Sequence, residues 1–238
     1  MICKDIYCAA KSSFYCIYKI CKMISLLLTI IGLTFLSTLL TAAACRTAGV
    51  AMREVALGAG KAVFRYGIFS IRCIPVSGSV SCWQSQDLDA DEAALRGSAL
   101  YENQPRLVQA MIILSGNLGL IALALLLAGS EGWDAFISGF SEFISGALNP
   151  ELNGVEYLQS AQSYISTHRW LNYLPLVAAK AAAWNLLPLS ALNGGQIIMM
   201  LLSPGKVLKS LFHKYSSILL MVMLACWLFA LFRWLYGH

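Results

Sequence analysis

The sequence predicts an all-α membrane protein of about four transmembrane helices, with a small membrane-associated β-hairpin sheet after the first span. Three observations carry this. Of its 238 residues, 58% are hydrophobic and only 12% charged, whereas a soluble domain usually carries about a quarter charged residues. Apolar stretches at 24–45, 107–128, 170–202 and 216–236 match or exceed the roughly 20 residues that cross a bilayer. Between the first two lies a glycine-punctuated alternation that reads as short strands and turns.

Residues 1–22 form an amphipathic N-terminal arm, and 23–238 a single transmembrane domain. In the arm, Lys4, Lys11, Lys19 and Lys22 fall within roughly 80° on a wheel of about 100° per residue. Three readings stand: an interfacial helix with its basic stripe on anionic headgroups, an unstructured leader, or an upstream extension if translation begins at Met23. The first span, 24–45, is closed by Arg46. In 48–83, runs such as "EVALGAG", "YGIFSIRCI" and "VSGSVSC" are divided by Gly58, Gly60, Gly67, Pro75 and Gly78.

Residues 84–106 are polar, with "DLDADEAALRG" expected as a short exposed helix. The second span, 107–128, is interrupted by "SGN". Residues 129–169 hold Glu131, Asp134, Glu142, Glu151 and Glu156 beside one arginine, and are expected as an extramembrane or interfacial connection. Residues 170–202 are too long for one simple span and contain Pro175, Pro188, Gly194 and Gly195, so a broken helix is expected. A basic loop at 203–215 precedes the last span.

The net charge of +5 does not indicate nucleic acid, because the basic residues flank the apolar runs instead of forming a stripe with stacking aromatics. Lysines in 203–215 place that loop in the cytoplasm with 46–106, and the acidic 129–169 connection outside. This puts both termini outside, against the four lysines of 1–22. Eight cysteines include no C-x-x-C pair and no zinc-ribbon spacing. Cys3, Cys8, Cys16 and Cys21 offer acylation sites or simply reduced interfacial thiols.

Residues 37–82, "STLLTAAACRTAGVAMREVALGAGKAVFRYGIFSIRCIPVSGSVSC", resemble the active-site helix and following β-hairpin of site-2 proteases, the intramembrane zinc metalloproteases. Arg46, Gly49, Val50, Gly58 and Gly60 stand at the family's spacing. "YENQPRLVQAMIILSGN" resembles the entry to the next span with its A-G-P-x-x-N motif. "NLLPLSALNGGQII" resembles N-L-x-P-x-P-x-L-D-G-G, which supplies the third zinc ligand. The likeness covers about residues 24–202, and 129–169 leave no room for the PDZ-like insert of larger members.

The departures fall on the chemistry. Counting back from Gly58, the H-E-x-x-H histidines and glutamate land on Ser37, Thr38 and Thr41, and the zinc-binding aspartate lands on Asn193. The Pro and Asn of A-G-P-x-x-N become Asn117 and Leu120, and a proline of the last block becomes Ser190. Histidines at i and i+4 share one helix face and grip one zinc, while the glutamate activates its water. Neutral hydroxyls and an amide are poor zinc ligands. Changing groups behind the ligands alone typically costs 10–100-fold, so losing the ligands themselves should abolish binding and cleavage.

Lys180 is an ionisable residue within an apolar segment and is a functional candidate on that ground. It is expected to point toward the interface or a polar cavity, over Trp184, and pairing with Ser37 as nucleophile and base is the rival reading. His168 and His213 lie in expected loops and His238 is terminal, so none replaces the lost ligands. The hydroxyls of Ser37, Thr38 and Thr41 have a plainer role, bonding to carbonyls one turn back.

The reading is therefore a membrane-embedded pseudoprotease, without catalytic residues and with no cofactor expected, that binds or shields a membrane protein partner. Strand addition along Gly67, Phe69, Ile71 and Cys73 is the expected mode, with Asn185, Gly194 and Gly195 at the broken helix. The alternatives are an active metalloprotease with non-standard ligands, or a scaffold or carrier that kept only the fold. The expected setting is the lipid bilayer of a bacterial inner membrane, crossed several times.

Overall fold

The computed structural model describes the backbone of residues 2–89, 97–202 and 205–236, and side chains from Cys21 onward except at positions 75, 76, 86 and 206. The expected exposed helix around 87–97 falls largely outside the described residues, as do His238 and the side chains of the N-terminal lysine stripe up to residue 19. Cys3, Cys8 and Cys16 are also outside the described side chains.

Helix α1 (Ile2–Thr47) is one uninterrupted helix of 46 residues. Its apolar part, Cys21–Thr47, is long enough to cross a membrane, as are the segments Arg106–Ala128 and Val207–Tyr236. Thr29, Thr34, Thr38 and Thr41 each donate their hydroxyl to the carbonyl four residues earlier, at 2.8–3.0 Å. Hydroxyls inside an apolar helix are thereby satisfied without a tertiary partner.

Strands β1 (Met52–Tyr66) and β2 (Phe69–Cys82) follow immediately. Gly67 turns the hairpin with φ +57°, a left-handed conformation that costs glycine little. Gly58, at φ +101°, bends β1; a Cβ there would stand 2.8 Å from the Ile74 carbonyl oxygen. The bend brings β1 between two arms of β2. Val55 pairs with Val80 on one side and with Phe69 on the other, and Leu57 pairs likewise with Gly78 and Ile71. Glu54 ties β1 to the first of these arms, accepting from Ser70 Oγ at 2.5 Å and Arg72 Nη2 at 3.1 Å.

Helix α2 (Arg106–Ala128) returns along α1. The "SGN" stretch does not interrupt it. Gly116 marks the crossing: a Cβ there would come within 2.7 Å of the Ser37 carbonyl oxygen and 2.9 Å of Thr41 Oγ1. Small residues at such crossings let membrane helices approach closely.

Helices α3 (Ser130–Leu148) and α4 (Val155–Thr167) occupy the segment expected as an extramembrane connection. That expectation is corrected for α3. Its Ala135 and Phe136 are buried in the same core as Leu33 of α1, Leu120 and Ala124 of α2, and the Ala178, Ala179, Ala182 and Ala183 face of the next helix. Gly132, Ala135, Phe136, Gly139 and Gly146 make the buried face, and Glu142 borders it, paired with Lys180 of the next helix.

The expected broken helix is present as α5 (Trp170–Asn185) and α6 (Asn193–Leu202). The start of α5 sits at the beginning of α1's apolar part, where Lys22 Nζ donates to the His168 carbonyl at 2.8 Å and Trp170 Nε1 to Thr29 Oγ1 at 2.9 Å. In the break, Leu187 and Leu189 are buried against Met223 of α7 (Lys206–Tyr236), and the Ser190 amide donates to Ser216 Oγ at 2.6 Å. The expected loop at 203–215 is corrected from residue 206 onward: these residues are the first turns of α7. Large apolar side chains of α7, including Leu219, Met221 and Phe232, remain exposed, as suits a lipid-facing surface.

Candidate functional site

The end of α1's apolar part, the last arm of β2, α2 and the break between α5 and α6 enclose a cavity of about 870 Å³. Ser37, Thr38, Thr41 and Asn193 all line it, with Asn185. Residues brought from opposite ends of the chain therefore share one chamber.

Their side chains face local partners. Thr38 Oγ1 donates to the Thr34 carbonyl at 2.8 Å and Thr41 Oγ1 to the Ser37 carbonyl at 3.0 Å. Thr38 also stands against Gly78 on β2, where a Cβ would be 3.1 Å from the Thr38 Cβ. Asn193 Nδ2 donates to the Ile113 carbonyl of α2 at 3.1 Å. Zinc needs deprotonated thiolates or carboxylates, or neutral imidazoles. This set supplies three hydroxyls and one amide whose donors are spent on backbone carbonyls at three of the four positions, so the residues do not fit the metal. Among the described residues, no group of three or more His, Cys, Asp or Glu side chains is placed to hold one.

Other expected residues are placed differently. Lys180 forms an ion pair with Glu142 of α3. It is absent from the cavity wall that Ser37 lines. His168 stacks on Tyr164 with ring centroids 4.0 Å apart, and His213 lies on α7 with its carbonyl facing Ser190 Oγ at 3.4 Å. Neither histidine borders the cavity.

The expected binding edge is corrected. Phe69 pairs with Tyr66 and with Val55, and Ile71 pairs with Phe64 and with Leu57, so this stretch has partners on both sides. Gly67 is the turn, and Cys73 donates to the Ala59 carbonyl at 3.5 Å. The β2 arm that borders the cavity is residues 77–82, paired on one side to Met52–Leu57 and lining the chamber with Ser77, Gly78, Ser79, Val80, Ser81 and Cys82. Serine at every second position was the available signal, since a period of two puts Ser77, Ser79 and Ser81 on one face.

Gly194 and Gly195 are buried but do not line the chamber. A Cβ on Gly194 would lie 2.5 Å from the Leu187 carbonyl oxygen, and one on Gly195 2.6 Å from the Ser190 amide nitrogen. The pair lets the start of α6 press against the backbone of the break, which positions Asn193.

Two thiols the sequence did not connect also meet here. Cys45, near the end of α1, and Cys82, the last residue of β2, both line the cavity with Sγ atoms 3.8 Å apart. Beside them, burial pushes the Tyr101 phenol up to about 12.

A comparison with curated proteins gives no match. The family model described as peptidase family M50 matches residues 41–230, from the last turns of α1's apolar part to α7. Ser37 and Thr38 lie just before the matched stretch, in rigid helical continuity with it. By this match the chain belongs to peptidase family M50, the site-2 protease family.

Proposed function

We propose that this protein is a non-catalytic, multi-pass member of its family that holds an extended segment of a membrane protein partner in the chamber. One observation carries the reading: the four positions that would furnish two imidazoles and two carboxylates carry Ser37, Thr38, Thr41 and Asn193. With neither ligand nor base at these positions, the chamber offers a cavity without the family's chemistry. What remains suited to a partner is the β2 arm at 77–82, whose cavity side offers backbone groups for strand addition, beside the amides of Asn185 and Gln196.

The bilayer supplies the setting, and a bacterial inner membrane is the proposed one. The positions of Thr47 and Trp170 at opposite ends of α1's apolar part support a layout with 84–106 and the start of α7 on the cytoplasmic side, and residues near 129 and 168 opposite.

Two measurements test the function together. Elemental analysis of the detergent-purified protein should find no stoichiometric zinc, and photocrosslinkers at Ser79 or Ser81 should capture a membrane protein when introduced in cells. Zinc near one atom per chain, lost on chelation, favours the rival reading of a protease with unusual ligands. Absence of any captured membrane protein favours a scaffold that kept only the fold.

A further inference from the structure

We propose that Cys45 and Cys82 form a reversible disulfide, through exchange with a small-molecule disulfide of the glutathione type, that locks the cavity-lining arm of β2 to α1. The two sulfurs are already in contact at 3.8 Å, against the roughly 2.05 Å of a closed disulfide. Both backbones are held by the short segment that joins α1 to β1. Cys45 accepts at its carbonyl from the Val50 amide at 2.9 Å, and Cys82 is paired with Met52 at the end of the sheet.

The two thiols differ in ways that assign the order of reaction. Cys45 is fully buried, packed with Val50 and Ile112, whereas Cys82 is partly exposed to the chamber. The hydrogen bond from Cys45 holds the Cys82 thiol below its ordinary value, which favours the attacking thiolate. The Cys82 thiolate attacks one sulfur of the small disulfide, forming a mixed disulfide and expelling one thiolate. The Cys45 thiol then loses its proton and attacks the Cys82 sulfur, expelling the second thiol. Two protein thiols and one small disulfide thus give one protein disulfide and two small thiols, with no other oxidant. The bond encloses residues 46–81, so the hairpin becomes a closed loop anchored on α1.

The test uses the full chain in detergent, treated with oxidised glutathione, alkylated, digested and mapped by mass spectrometry. The expected result is a linked Cys45–Cys82 peptide pair about 2 Da lighter than the two free peptides, reversed by dithiothreitol, with Cys21, Cys73 and Cys226 alkylated or carrying glutathione. A glutathione adduct that persists on Cys82 beside an alkylated Cys45, linkage of either thiol elsewhere, or no oxidation of the pair overturns the proposal. Cys45→Ser should leave the mixed disulfide trapped on Cys82. Because the mapping is done on the unsubstituted protein, a folding defect in the variant leaves the result intact. Hydrogen exchange adds a second readout: amides of 77–82 should exchange more slowly in the oxidised protein, and an unchanged rate contradicts the lock.

Discussion

Asn193 donates from Nδ2 to the carbonyl oxygen of Ile113 across 3.1 Å, joining the first turn of α6 to the middle of α2. Asn193 is therefore part of the bundle's own bonding. Asn193→Asp replaces the donor by an acceptor facing a carbonyl oxygen. The variant should lose at least the about 0.5–1.5 kcal/mol of an ordinary hydrogen bond, read as a lower melting temperature in detergent.

Zinc should reverse that loss only when the rest of the ligand set is restored. Ser37→His, Thr38→Glu, Thr41→His and Asn193→Asp together place the family's residues around the chamber. The quadruple variant should bind zinc and melt higher with metal than without it, by isothermal titration and thermal unfolding. A folded variant indifferent to zinc contradicts the register, since a one-residue slip turns α1 by about 100°.

Gly194→Ala and Gly195→Ala should each be strongly destabilising, toward the upper end of the about 1–3 kcal/mol seen for over-packing, because the new Cβ meets backbone and not a movable side chain. Gly32→Ala is the control. Nothing lies within 4 Å of its Cβ position, so that variant should be neutral or gain up to about 1 kcal/mol from helix propensity. Equal melting temperatures for all three contradict the tight seating of α6.

Lys180→Met strands Glu142 between α3 and α5. Both side chains are partly exposed, 40% and 24%, so the cost should be about 1–3 kcal/mol, below the roughly 3–5 of a fully buried pair. Combining it with Glu142→Gln should recover most of the loss. A non-recovering double variant means the two residues do not act as a pair.

Glu54 gives the hairpin a pH dependence. The hydrogen bond from Ser70, then the one from Arg72 and the charges of Arg72 and Arg65, holds its carboxyl below the ordinary 4.5. A depressed value means the stabilisation is complete above about 4.5 and is lost as pH falls through the folded value. Protection of the hairpin amides, taken relative to the intrinsic exchange rate at each pH, should fall in acid below that point. Glu54→Gln should flatten the profile.

The apolar runs were legible because lipid rewards long uncharged helices whatever they pack against. The break between α5 and α6 was legible too, since Pro188 cannot sustain a helix interior. Segment 129–169 was misread because acidic composition says nothing about which face of α3 reaches the core. Likewise, the edge at 67–74 has the alternation of any strand, and only the bend at Gly58 decides that both its sides are paired.

The sequence by itself determined that the chain belongs in lipid, that a hairpin follows the first span, and that Ser37, Thr38, Thr41 and Asn193 carry neutral side chains. Each depends on residue types at fixed local spacing. Tertiary structure alone decided that Lys180 meets Glu142, that Asn193 bonds to Ile113, that residues 77–82 border the chamber, and that Cys45 lies 3.8 Å from Cys82. These contacts join segments far apart in the chain, and helix crossing and strand register set them, which no local pattern encodes.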